Sequence, residues 1–216
     1  MNLLNHILGI EAFDILIKIS EEKNIKIYAV GGYVRDVLLG KKPKNIDIVV
    51  EGNGLDLAKI FAKRIGTNID PVLYKNFGTA MVKYKDWEIE FVGARKESYR
   101  TDSRKPNVVQ GTLEDDIKRR DFTINTMLIS LNKSNLGELI DMFDGFKDLE
   151  NKLIKTPLDP VLTYSDDPLR MMRAIRFASV LNFNIEEKSY NAIKEVKERI
   201  KIISKERITE ELNKIL

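Results

Sequence analysis

Apolar positions recur at helical spacing over residues 8–23, where Leu8, Ala12, Ile15, Leu16 and Ile19 would share one face, so a first amphipathic helix is predicted. The period then shortens. Ile25 to Val30 is a short β-branched run ended by Gly31-Gly32, the pattern of a strand entering a tight turn. Residues 33–40 predict a short helix closed by Gly40. A loop around Pro43 leads into a second strand at 46–50, and Leu55, Leu57, Ala58, Ile60, Phe61 and Ile65 predict a helix over 53–65. Strands follow at 77–84 and 87–93, joined by Lys85-Asp86. This alternation describes an α+β fold, a small mixed sheet flanked by helices.

Beyond Gly93 the pattern lapses. Residues 94–112 are polar, contain Pro106 and Gly111 and show no period, so they are predicted as a long loop that serves a site or moves. Residues 113–150 mix a charged helix start (113–120), an apolar stretch (122–131) that fits either period, and a second loop. From Asp166 onward the pattern is helical, in pieces near 167–181, 186–199 and 204–216. Pro157 and Pro160 mark a boundary that divides a domain over 1–155 from an all-α one over 156–216.

Composition narrows the chemistry. The 216 residues contain no Cys and one His, His6, which removes disulfides, thiol nucleophiles and Cys-based zinc sites and argues against a Ser-His-Asp triad. A metal would be held by carboxylates, which favours a hard ion such as magnesium. Lys plus Arg is 36 against 33 Asp plus Glu, a net charge of +3, so any basic site must arise from local clustering. No apolar run approaches the roughly 20 residues of a membrane span, which fits a cytoplasmic protein without membrane partners.

Four motifs carry candidate chemistry. Gly31-Gly32-Tyr33-Val34-Arg35-Asp36 offers bare amides and a guanidinium at a strand-to-helix turn. It is either a phosphate cradle or an ordinary glycine turn with Arg35 paired to Asp36. Asn45 and Asp47 share one face of the second strand. Two carboxylates there would hold magnesium against a triphosphate, but position 45 is an amide, so Asp47 is the charged ligand. Glu90, on an otherwise apolar strand, is its partner or else faces solvent. Residues 119–125, Arg-Arg-Asp-Phe-Thr-Ile-Asn, offer phosphate, ribose and amide contacts through Arg120, Asp121 and Asn125, or form a capped charged helix end. Last, Asp167-Pro168 reads as a helix cap, and Arg170, Arg173 and Arg176 fall in a sector about 120° wide. Met171, Met172, Ala174, Ile175, Ala178 and Leu181 are predicted as the core face opposite them. Three arginines in a Lys-rich chain point to planar, bidentate work.

Taken in order, GGYVRDVLLG, NID, RRDFTIN and DDPLRMMRAIRF resemble the class II tRNA nucleotidyltransferases and bacterial poly(A) polymerases of the polymerase-β superfamily. EFVGARKESYR and ISKERITEELNKIL resemble them too, so the likeness runs from about Tyr28 to the C-terminus. It implies a head with a five-stranded sheet and a helical neck. It also implies transfer of CMP and AMP from CTP and ATP to the tRNA 3′ end, with magnesium and release of pyrophosphate. By this resemblance Gly31, Gly32 and Arg35 hold the triphosphate, and Asp47 binds the metal with Glu90 and a weakened Asn45. Arg120, Asp121 and Asn125 meet phosphates and ribose, Asp167 and Arg170 read the base, and Arg173 and Arg176 complete the site. A poly(A) polymerase, a specialist adding only C or only A, or a catalytically impaired nucleotide- or RNA-binding protein are the alternatives. The family carries aspartate where this chain has Asn45 and glutamate where it has Asp166, and its members continue into body and tail domains.

Overall fold

The computed structural model describes the backbone of all residues except 67, 68, 75–77, 101, 102 and 216, and the side chains of these and of 99, 100 and 103–106 are not described. The strands are β1 (Ile27–Val30), β2 (Asn45–Val50), β3 (Val72–Tyr74), β4 (Thr79–Tyr84), β5 (Trp87–Gly93), β6 (Arg95–Arg100), β7 (Ser103–Gln110), β8 (Leu128–Ser130), β9 (Leu139–Ile140), β10 (Leu153–Ile154) and β11 (Asn184–Ile185). The helices are α1 (Glu11–Lys23), α2 (Gly32–Leu38), α3 (Gly54–Ile65), α4 (Leu113–Lys118), α5 (Gly145–Glu150), α6 (Pro160–Asp166), α7 (Leu169–Leu181), α8 (Glu187–Val196) and α9 (Lys205–Asn213).

Two compact units interleave along the sequence. The first comprises Met1–Lys96, Gln110–Asp116 and Met127–Met142; the second comprises Glu97–Val109, Ile117–Thr126 and Phe143–Leu216. In the first, seven strands form one sheet in the order β3-β4-β5-β2-β1-β8-β9, antiparallel except for the β2–β5 pair. The sheet is therefore wider than the five strands implied by the resemblance. Its outermost members, β3 and β9, have only 3 and 2 residues, too short to leave a period in the sequence. Residue 77, where the sequence would begin β4, lies outside the described residues.

Strands β1 and β8 are buried at every position, whereas β5 and the start of β2 alternate. Ile46, Ile48, Ile89 and Phe91 are fully buried, while Asn45, Glu88 and Glu90 on the other face are exposed. Helix α3 packs on β4 and β5, started by Asn53, whose Oδ1 accepts from the amides of Leu55 (2.9 Å) and Asp56 (3.3 Å). A methyl group on Gly54 would stand 2.5 Å from the Gly93 amide, so helix and strand approach backbone to backbone there. Lys85, at φ 52°, closes the two-residue β4–β5 turn predicted from the sequence.

Three sequence expectations need correction. Helix α1 begins at Glu11 rather than residue 8, because Gly9 (φ 86°) breaks the chain, and Leu8 is left 53% exposed. Residues 94–112 are not a loop: β6 and β7 form a two-stranded ribbon. The residues of this stretch are mostly polar, and Glu97, which β6 buries, is itself charged, so there is no apolar alternation to read. The proline-marked stretch near 160 contains α6, with Pro160 at its start and the Asp159 carboxylate accepting from the Leu162 amide at 2.9 Å.

The second unit centres on α7, whose faces the sequence assigned only in part: Met171 and Ala174 are buried as predicted. Arg170 is only 8% exposed, whereas Ile175, predicted as core, is 45% exposed. The arginine stems line the packed side and their heads meet buried acceptors, which offsets the cost of enclosing them. Among the described residues no helix is long and apolar enough to cross a membrane.

Candidate functional site

The predicted residues of the first unit lie on three adjacent strands, beside the C-terminal end of β1. Val30, the last residue of β1, is the register partner of Asp47, and Asp47 is in turn the partner of Glu90 on β5. The Gly31-Gly32 turn thus starts one residue beyond a strand pair that carries Asp47, with Glu90 on the next strand. Gly31 takes φ 73°, a conformation that glycine adopts at little cost, and starts α2. Arg35 folds back over this turn. Its Nη2 lies 3.7 Å from where a side chain on Gly32 would begin, and its Nε donates to Asp36 Oδ1 at 2.9 Å. The Arg35–Asp36 pairing foreseen as the plain alternative is therefore present, and it holds the guanidinium at the turn.

Asn45 and Glu90 are exposed and Asp47 half-buried, all on one sheet face. Glu88, the register partner of Asn45 and unremarked in the sequence, is ion-paired with Lys83 at 2.9 Å. Among the described residues no three acidic or histidine side chains come together as a ready cation site. The donors at Asn45, Asp47 and Glu90 are nonetheless all hard oxygens, two of them charged. They fit magnesium with less negative charge than a full carboxylate set would give.

The second unit assembles the other group. Asp121 is buried; its Oδ2 accepts from Arg173 Nε (2.7 Å) and its Oδ1 from the Phe122 amide (2.8 Å) and Asn125 Nδ2 (3.0 Å). Burial pushes its pKa up, but the Arg173 charge and the Asn125 bond outweigh this and bring it down to about 2. The Asp121 charge in turn raises the pKa of Arg173. Arg170 donates to the carbonyls of Thr163 (3.3 Å) and Arg119 (2.6 Å). Asp167 Oδ1 accepts from the Leu169 amide at 3.2 Å, so its capping role is real. Its neighbour Asp166 has a raised pKa, through burial first. Arg176 pairs with Glu211 on α9 at 2.9 Å and lies 4.5 Å over the Phe177 ring. Arg120 is half-buried at the end of its turn, its amide bonded to Ile117 O at 3.1 Å.

Sequence reasoning missed Glu97, which pairs with Arg119 at 3.2 Å; Glu211; and Asp148 on α5, which accepts from Thr123 Oγ1 at 2.7 Å. Glu211 stands inside a segment already noted for its resemblance, whereas nothing local marks Asp148.

The family described as "Poly A polymerase head domain" matches residues 27–155, and "Probable RNA and SrmB- binding site of polymerase A" matches 182–216. An A-adding tRNA nucleotidyltransferase of Aquifex aeolicus is 44% identical over 79% of this chain and 20% of its own length. A CCA-adding enzyme of Lactobacillus helveticus is 41% identical over 90% of this chain and 47% of its own. A solved structure described as a complex of CCA-adding enzyme with CTP superposes with TM-score 0.83 at 37% identity, covering 99% of this chain and 48% of that one. The chain thus spans at most about half the length of these relatives.

Proposed function

The chain belongs to the poly A polymerase head-domain family, and from that premise we propose that it adds C, A or both to the 3′ end of tRNA. CTP and ATP are the donors and pyrophosphate the product. The observation that carries this reading is the line across β1, β2 and β5: a glycine turn with Arg35, then Asp47, then Glu90. On this reading the head spans 1–155 and the neck 156–216; the family match over 27–155 supports the boundary between them, whereas the two compact units divide the chain differently.

In the first unit the amides at Gly31-Gly32 and the guanidinium of Arg35 are suited to a triphosphate; in the second, Arg120, Arg173 and Arg176 supply positive charge for a nucleotide. Asp121 keeps Arg173 oriented, and Asn125 keeps Asp121 oriented. Asp167 and Arg170 present an acceptor and a fork of donors to the base, the complement of one edge of cytosine or adenine. Two carbonyls hold the Arg170 fork, so its orientation does not await the base. Asp47 and Glu90, with the Asn45 amide oxygen, would hold magnesium, which when bound activates the 3′-hydroxyl and neutralises charge on the phosphates. The chain's own work is otherwise to position charge, so it needs no histidine. Partners of this kind, tRNA and nucleotides, belong to the cytoplasm.

Asn45 favours one second reading, a protein that binds nucleotide and RNA but turns over slowly. Extension of tRNA lacking its 3′ end, with CTP and ATP, decides between them. Asn45→Asp should raise incorporation by about two orders of magnitude or more, because a lost anionic metal ligand costs several kcal/mol at the transition state. CTP affinity should hardly change. Equal rates for the two proteins would overturn the role given to position 45, and absence of extension by both would overturn the enzymatic reading.

A further inference from the structure

The Asp148 carboxylate is only 5% exposed, yet a neutral acceptor would serve the Thr123 hydroxyl as well. Enclosing a charge for that alone is expensive. The Lys155 ammonium stands 4.0 Å away, and Asp148 occupies the first turn of α5, where backbone amides favour a carboxylate. The bond from Thr123 Oγ1, at 2.7 Å, is thus charge-assisted, a class roughly twice as strong as neutral bonds.

Every polar group of Thr123 is engaged. Its amide donates to Lys155 O (2.8 Å), and its carbonyl accepts from the Thr126 amide (3.0 Å) and hydroxyl (2.7 Å). Thr123 opens the three-residue helical turn Thr123–Asn125, and Asn125 closes it with Nδ2 on Asp121 Oδ1 at 3.0 Å. The other oxygen of Asp121 receives Arg173. One stiff turn therefore separates a buried carboxylate beside Lys155 from the carboxylate that aims Arg173.

We infer that Thr123 and Asp148 are positioning residues: their bond fixes the 123–125 turn and so holds Asp121 in place to orient Arg173 for the nucleotide. The effect on nucleotide rests on the function proposed above; the effect on Arg173 does not. A pair that only stabilised the fold would lower the melting temperature and leave the folded protein's Arg173 and nucleotide affinity untouched.

The test uses the 216-residue chain and two readouts, the exchange-protected Nε–H resonance of Arg173, assigned with Arg173→Lys, and equilibrium binding of CTP. Thr123→Val and Asp148→Ala, which remove the donor and the acceptor, should both lose protection at Arg173 and weaken CTP by about tenfold, the usual worth of a lost charged hydrogen bond. Thr123→Ser, which restores the hydroxyl, should stay near the parent on both readouts. Folded variants that keep both the protected resonance and parental CTP affinity would overturn the inference. If Thr123→Val does not fold, Asp148→Ala decides by the same criteria. A parent chain that binds no CTP would sink the nucleotide reading, while the Arg173 resonance would still judge the positioning pair.

Discussion

Asp167 illustrates how one side chain serves two masters. Its bond to the Leu169 amide is a cap, worth roughly 0.5–2 kcal/mol, and Asp167→Ala should cost the protein that much stability. If the carboxylate also reads the base, the same change should blur the preference for CTP and ATP over UTP and GTP. Binding of all four nucleotides to both proteins checks this, and an unaltered ranking would reduce Asp167 to its cap. Asp121 makes a sharper pH prediction. Its pKa in the folded protein is about 2, below the ordinary 3.8, so its contribution to stability is complete above pH 4 and is lost as pH falls through 2. The shift is worth of the order of 2 kcal/mol, and urea midpoints between pH 5 and pH 2.5 should show it. Asp121→Asn should abolish that part of the acid sensitivity and lower stability at neutral pH, since it leaves Arg173 partly buried without its counter-ion.

Among elements, the contact of α3 with β5 is the least forgiving. A Cβ on Gly54 would come within 2.5–2.9 Å of the backbone of Val92 and Gly93, atoms that move only if strand or helix moves. Gly54→Ala should cost about 1–3 kcal/mol by overpacking, although Ala is the better helix former; a thermal melt checks the sign. What the sequence disclosed follows from how each element buries itself. Strands β1, β2, β4 and β5 are apolar on their buried faces and were legible, as was the pairing of Asn45 and Asp47 on one side of β2. The β6–β7 ribbon was illegible because its sequence is polar and has no alternating apolar positions. On α7 the burial of Met171 and Ala174 was legible, but the arginine side was misjudged because a hydrophobicity pattern places arginine outside, and here buried Asp121 and Glu211 draw it in. Asp148 could not be found at all: its meaning lies in a partner 25 residues away, and no motif records that.

For the whole molecule, charge is the relevant scale. A net +3 over 216 residues gives little long-range attraction for RNA. Binding to tRNA should therefore be weak and fall steeply as salt rises, because phosphate contacts dominate it. The sequence assigns those contacts to Arg95, Lys96, Arg100, Arg104, Lys105 and the lysines of the last helices; the side chains of Arg100, Arg104 and Lys105 lie outside the described residues. CTP affinity should change modestly over the same range, since backbone amides and enclosed ion pairs are less screened. Titrations of both ligands at low and physiological salt check the contrast, and tRNA binding that survives physiological salt would show that residues 1–216 already hold a full RNA site.

The order of the sheet also governs how the molecule comes into being. Strand β1 sits inside the sheet, but its second neighbour, β8, is encoded roughly a hundred residues later, a long-range closure of the kind that slows folding. At a synthesis rate of about 5–20 residues per second, β1 emerges several seconds before β8 exists. During that interval a fully apolar strand presents an open row of amides and carbonyls, a template for pairing with any other chain. The same arrangement that later seats the glycine turn beside Asp47 thus makes the nascent protein a natural client for chaperones.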